Sequence, residues 1–166
     1  MDPNEIVRLR NHAIVLLECP TTSPEGFVLL YIAWEGLVRR ILRVGLAAKG
    51  MNKTSANTFL RDARLSSRDG IANAFVDVYE IKPQSLRGVG HLLRDLPKVN
   101  ELRHRYVHGR GNTSPEKFDA MARVLLQLLD ADWQVALSTQ LNRIGFSNKN
   151  SDPLKRIIAA KRKYLT

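Results

Sequence analysis

The sequence predicts an all-α fold, an up-and-down bundle of four to five main helices with a small helical insertion. Three observations carry this. Apolar residues recur at threes and fours over long stretches, which is the period of a helix with one buried face. No stretch of any length alternates with the period of two that a half-buried strand needs. Four dipeptides, Asp2-Pro3, Ser23-Pro24, Ser114-Pro115 and Asp152-Pro153, pair an N-capping side chain with proline at the first helical position and so mark four helix starts.

Taken in order, the first helix spans Pro3 to Leu17, with Ile6, Leu9, Ala13 and Leu16 or Leu17 on one side. The second, from about Pro24 to Ala48, carries Phe27, Leu30, Tyr31, Trp34, Leu37, Val38, Ile41 and Leu42. So wide a stripe belongs to the central helix of a bundle. Glu25 falls in its first turn, where acid complements the helix dipole. Glu35 lies at the edge of the stripe, as a surface carboxylate or as one that orients an arginine across the bundle. Arg39, Arg40 and Arg43 follow toward the helix end. From Lys49 to Leu96 the pattern is less regular. Thr54 to Arg64 reads as a short helix with Phe59 and Leu60 inward, and Ile71 to Tyr79 as another apolar piece. Leu86 to Leu96 has Val89, Leu92 and Leu93 at helical spacing, weakened by Gly88 and Gly90. This insertion is where specificity is expected, because variable connections carry it. His91 is expected to be partly buried. Pro97 restarts a helix that ends at Gly109, and Pro115 to Arg143 reads as one long helix. Asp152 opens a last amphipathic helix with Leu154, Ile157, Ile158 and Tyr164 beside Lys155, Arg156, Lys161, Arg162 and Lys163.

The 166 residues, 44% hydrophobic, suit a single domain with a sizeable core over residues 1–166. The net charge of +10 is uneven. Residues 1–35 hold five acidic and two basic side chains, a balance of −3, so residues 36–166 carry +13. Such a remainder suits a polyanion, nucleic acid first, although a basic surface also serves solubility alone. Cys19 is the single cysteine, so an internal disulfide is excluded. Its apolar surroundings predict a small buried residue rather than a nucleophile. The opening Met-Asp-Pro-Asn-Glu lacks a signal-peptide pattern, and the longest apolar run, Phe27 to Trp34, is too short to cross a bilayer. A cytoplasmic location away from membranes is expected.

The chemistry concentrates in Asn100 to Arg110, which holds two of the four histidines and three arginines. On a helix at about 100° per residue, Val99, Leu102 and Tyr106 share one side and His104 and His108 the other, with Arg103 and Arg105 flanking the histidines. Gly109 is placed to stop the helix in a left-handed conformation. Imidazoles carry protons in both directions near neutrality, and a guanidinium holds a phosphate and the charge that develops on it. Together they suffice for RNA cleavage through the ribose 2′-hydroxyl without a metal or other cofactor. The same cluster also suits the solvated face of a basic helix.

Arg103 to His108 is an arginine, four residues and a histidine, with a polar residue after the arginine and a Val-His-Gly ending. The segment resembles the R-x(4–6)-H motif of the HEPN superfamily, across roughly residues 24 to 145 of this chain. The resemblance implies a helical, homodimeric, metal-independent endoribonuclease whose composite active site forms where two copies of the motif face each other. It assigns His108 to proton transfer, Arg103 to the phosphate and His104 to orienting the scissile group. Arg105 and Arg110 are expected to contact the RNA backbone. Arg103 and His108 stand about 140° apart around the helix, and a twofold axis would bring one protomer's arginine to its partner's histidine. Many RNA-cleaving members act as toxins or in antiviral defence and are restrained by an antitoxin or a sensor. Other members bind RNA, nucleotide or protein and cleave nothing, which is the alternative expectation. Neither a glycine-rich phosphate loop nor a cysteine pair for zinc occurs, and His104 and His108 lack the intervening glutamate of H-E-x-x-H. No metal site is expected.

Overall fold

The computed structural model describes residues 1–65, 67–109 and 113–143. Among them are α1 (Pro3–Leu17), α2 (Ser23–Ala48), α3 (Lys53–Asp62), α4 (Arg68–Tyr79), α5 (Leu96–Val107), α6 (Pro115–Asp130) and α7 (Trp133–Arg143). Short 3₁₀ turns at Pro83–Ser85 and Leu92–Asp95 join α4 to α5, and no strand occurs among the described residues. The all-α expectation is met. The helix expected from Asp152 lies outside the described residues.

The centre is α2. Its 26 residues extend about 39 Å at 1.5 Å per residue, and they touch α1, α3, α4, α5 and α6. Phe27, Leu30, Trp34, Leu37, Val38, Ile41 and Leu42 are all buried, as their spacing requires. Trp34 meets Trp133 of α7 at 5.7 Å between ring centroids, and Phe75 of α4 lies 6.3 Å from the same Trp133. At the other end Phe27 packs edge-on against Phe118 of α6. Apolar area removed from water supplies most of the stability of such a core, at about 25 cal/mol per Å².

Polar clasps fix the register of the outer helices. The Asp2 carboxylate accepts from the N–H groups of Asn4 and Glu5 and caps α1. Arg10 of α1 grips Asp130 at the end of α6 through two hydrogen bonds, 2.9 and 2.7 Å. Helix α2 begins one residue before the expected proline. Ser23 is therefore inside the helix and fully buried, and its hydroxyl donates to Asp119 of α6.

Four local expectations are corrected. The helix foreseen from Pro115 to Arg143 is two helices, because Ala131 turns to an extended conformation and Asp132 caps α7, accepting from the Val135 N–H at 3.0 Å. The indole N–H of Trp133 donates to the Leu128 carbonyl at 2.9 Å, so the break leaves a terminal carbonyl satisfied. Cys19 is exposed rather than buried. Pro20 disfavours a helical Cys19, α1 stops at Leu17, and the Thr22 hydroxyl donates to the Leu16 carbonyl at 2.6 Å. Leu86 to Leu96 is a chain of turns, since Gly88 adopts a positive φ of 81° that ends any helix there. Val89 and Leu93 still point inward, and His91 between them is exposed, not partly buried.

Gly45 marks the crossing of α2 and α4. A Cβ there would overlap the Val78 side chain and the Tyr79 ring, both buried, and Tyr79 is tied down by its hydroxyl donating to the Ile41 carbonyl. Gly45→Ala should therefore lower unfolding stability by about 1–3 kcal/mol despite alanine's better helix propensity, because overpacking a well-filled contact outweighs it. Urea unfolding measures this, and an unchanged or raised midpoint would show that the crossing is loosely packed.

Candidate active site

Helix α5 carries the candidate residues, and its amphipathic pattern decides which way each one faces. Val99 and Leu102 are buried, as their shared side predicts. Tyr106, expected among them, is 38% exposed, and Val107 is 52% exposed. The helix ends at Val107, His108 caps it, and Gly109 comes next with φ of 61°, the left-handed stop that its position predicts. The motif's end is held where α2 and α6 begin. The Tyr106 hydroxyl donates to Glu25 of the first turn of α2 at 3.4 Å, and its ring packs edge-on against Phe118 of the first turn of α6 at 5.3 Å.

His104 and His108 are both exposed and lie side by side, with ring centroids 4.3 Å apart and planes inclined at 56°. One helical turn separates them, so the backbone places both side chains on one face. Arg105 is exposed next to them and sits 3.8 Å from Glu101, one turn back. Arg103 is different. It is half-buried, with its guanidinium carbon 5.3 Å from the centre of the Tyr31 ring on α2, a cation–π contact. Within one chain, then, the histidines and Arg105 share an open face while Arg103 turns toward the bundle. Arg110 lies outside the described residues.

Two residues near Arg103 carry no signal in the sequence beyond their places in a pattern. Tyr31 reads as one member of the apolar stripe of α2, and Asn100 as a polar position on α5. In the structure the Tyr31 hydroxyl donates to Asn100 Oδ1 at 3.0 Å, which fixes the ring beneath Arg103. The Asn100 Nδ2 is buried and meets no hydrogen-bond partner among the described residues. Burial, with the Glu35 carboxylate close by, pushes the Tyr31 phenol up to about 12, while the charge of Arg103 pulls the other way. Glu35 and Arg103 therefore act on the same ring, from α2 and α5 respectively. Arg39 and Arg43 are drawn to α3 instead: Arg39 donates to the Leu60 carbonyl at 3.1 Å and Arg43 to Asn57 at 2.9 Å.

Among the described residues no group of three or more His, Cys, Asp or Glu side chains could hold a metal ion, and no helix is long and apolar enough to cross a membrane. Comparisons of the chain with protein-family models, with curated protein sequences and with solved structures find no match.

The raised Tyr31 phenol has a consequence for stability. As pH rises, the unfolded chain gives up this proton first, near the ordinary value of 10, and the folded chain near 12. The contribution of a neutral Tyr31 is thus intact below about pH 10 and is lost as pH climbs toward 12. Tyr31→Phe, which has no proton to lose, should show a shallower decline in urea midpoint over that window than the unaltered chain. Parallel declines would show that the Tyr31 hydroxyl is not held neutral by its surroundings.

Proposed function

We propose that this protein is a metal-independent endoribonuclease acting as a homodimer, a HEPN-like enzyme. The observation that carries the reading is the pair of exposed imidazoles, 4.3 Å apart at the end of α5, on the same two turns as Arg103 and Arg105. An imidazole that moves protons beside guanidinium groups that hold the phosphate is what cleavage through the 2′-hydroxyl requires. A base takes the proton from the 2′-hydroxyl, and the 2′-oxygen attacks phosphorus. The bond from phosphorus to the 5′-oxygen breaks, and an acid returns a proton to that oxygen. The products are a 2′,3′-cyclic phosphate and a 5′-hydroxyl. His108 carries the proton transfer, His104 orients the scissile group, and Arg103 stabilises the phosphorane. Arg105 and Arg110 follow the backbone.

The direction of Arg103 supports a two-chain site. Resting on Tyr31, it stands on the far side of α5 from the exposed histidines, so one chain does not present both to the same phosphate. A twofold axis between two α5 ends supplies the missing juxtaposition. The exposed Tyr106 and Val107 give such a pairing an apolar component. The role in a cell that fits best is a toxin or an antiviral effector held in check by an antitoxin or a sensor.

The test is cleavage of a labelled RNA in excess EDTA. His108→Ala and Arg103→Ala should each cut about 10² to 10⁴ times more slowly than the unaltered chain, with cyclic-phosphate ends on the products. Equal cutting by His108→Ala would sink the mechanism. Tight binding of RNA with no cutting over a broad RNA panel would make the protein a binding module instead. Light scattering at micromolar concentration should give twice the chain mass, and a monomer would remove the composite site.

A further inference from the structure

The open face of α5 that carries the histidines continues into a groove against α6. Lys98, Glu101 and Arg105 line one wall and Lys117 the other, over a floor that includes Leu102 and Met121, enclosing about 310 Å³. The floor is covered, with Leu102 buried and Met121 half-buried, while the three cations are exposed. Their engagements are weak. Lys98 pairs with Asp95 at 2.8 Å with its side chain still 70% exposed, and Arg105 approaches Glu101 only to 3.8 Å. Exposed pairs of this kind contribute little, so an incoming phosphate exchanges for them at little cost. Three cations against the two carboxylates of Glu101 and Asp95 leave an excess of one positive charge at the groove, and the size is that of a small-molecule site.

Position along the helix gives the groove its meaning. Around the α5 axis Glu101 and Arg105 lie about 20° and 60° from His108, whereas Arg103 lies about 140° away on the other side. A strand with its reacting phosphate at the imidazoles therefore reaches the groove with the neighbouring nucleotide. Resting on the reading of this site as one for RNA, we infer that the α5–α6 groove is a nucleotide subsite beside the scissile phosphate. The adjoining phosphodiester sits among Lys98, Arg105 and Lys117, and its base lies on Leu102 and Met121. Methionine is soft and adaptable and offers no directed hydrogen bond, so this subsite accepts any base and contributes hold rather than sequence choice. The free energy it contributes is spent on binding the substrate, not on the chemical step.

The experiment measures binding apart from cutting. A fluorescein-labelled RNA 10-mer with 2′-O-methyl riboses, which lacks the attacking hydroxyl, is titrated with the full chain and read by anisotropy over a range of salt. Lys98→Glu and Lys117→Glu should each weaken binding about tenfold and lower the slope of log affinity against log salt by about 0.7, the loss of one single-strand phosphate contact. Lys98→Gln and Lys117→Gln should shift both quantities in the same direction by less, which keeps the test intact if charge reversal disturbs folding. Full-strength binding by all four variants, or failure of the unaltered chain to bind the 10-mer, would overturn the subsite. So would equally good displacement of the RNA by a polyglutamate peptide of matched charge, which would mark the groove as a seat for an acidic protein. The two readings fail separately. Weakened variants together with unmodified RNA left uncut keep the subsite and discard the cleavage, and unweakened variants together with cutting do the reverse.

Discussion

A helix that is apolar around most of its circumference cannot exist in water uncovered, and that constraint on α2 organises everything else. Phe27, Trp34 and Ile41 cannot all be hidden by one neighbour, so helices arrive from several sides: α1, α5 and α6 meet its first half, α3 and α4 its end. Each arrival leaves a mark on the sequence. Gly45 is where α4 comes too close for a side chain, and the Ser23 hydroxyl meets Asp119 where α6 does. The covering helices are then free to be charged on their outer faces.

That arrangement separates the residues of α5 by function. Its inward side belongs to the core, and Arg103 stands at the border between the two regimes, its charged end resting on a ring of α2. The histidines lie fully on the solvent side. Their shared face follows from their spacing on α5, whereas Arg103 rests on Tyr31, which is held in turn by Asn100. Disturbances in the core of α2 therefore reach the arginine before they reach the imidazoles.

Most of the fold is legible in the sequence where a signal is local and repeated. The stripe of α2, the carboxylate of Asp2 and the glycine at 109 each act over a few residues, and each is found where the pattern puts it. The break between α6 and α7 escapes the pattern because the apolar spacing runs straight through it; only Asp132 signals a new cap, and one aspartate within a helical run is a faint mark. Cys19 and His91 sit beside apolar residues in the chain, yet burial is decided by which neighbours take the inward places. The outward histidines and the helix-end placement are likewise readable from the wheel. The partnership of Arg103 with Tyr31 is not, because it joins residues 72 positions apart on different helices, and no local period encodes that.

A carboxylate would have served to hold Arg103, and the structure gives it a ring instead. The difference lies in the freedom left once the contact is made. A carboxylate engages particular N–H groups and cancels the charge; an aromatic face attracts the cation as a whole and prescribes neither which hydrogen points where nor how the fork is turned. Arg103 is thereby anchored in place while keeping its orientation adjustable and its charge uncancelled by the ring. A side chain held in that manner can follow a phosphate group as its oxygens rearrange.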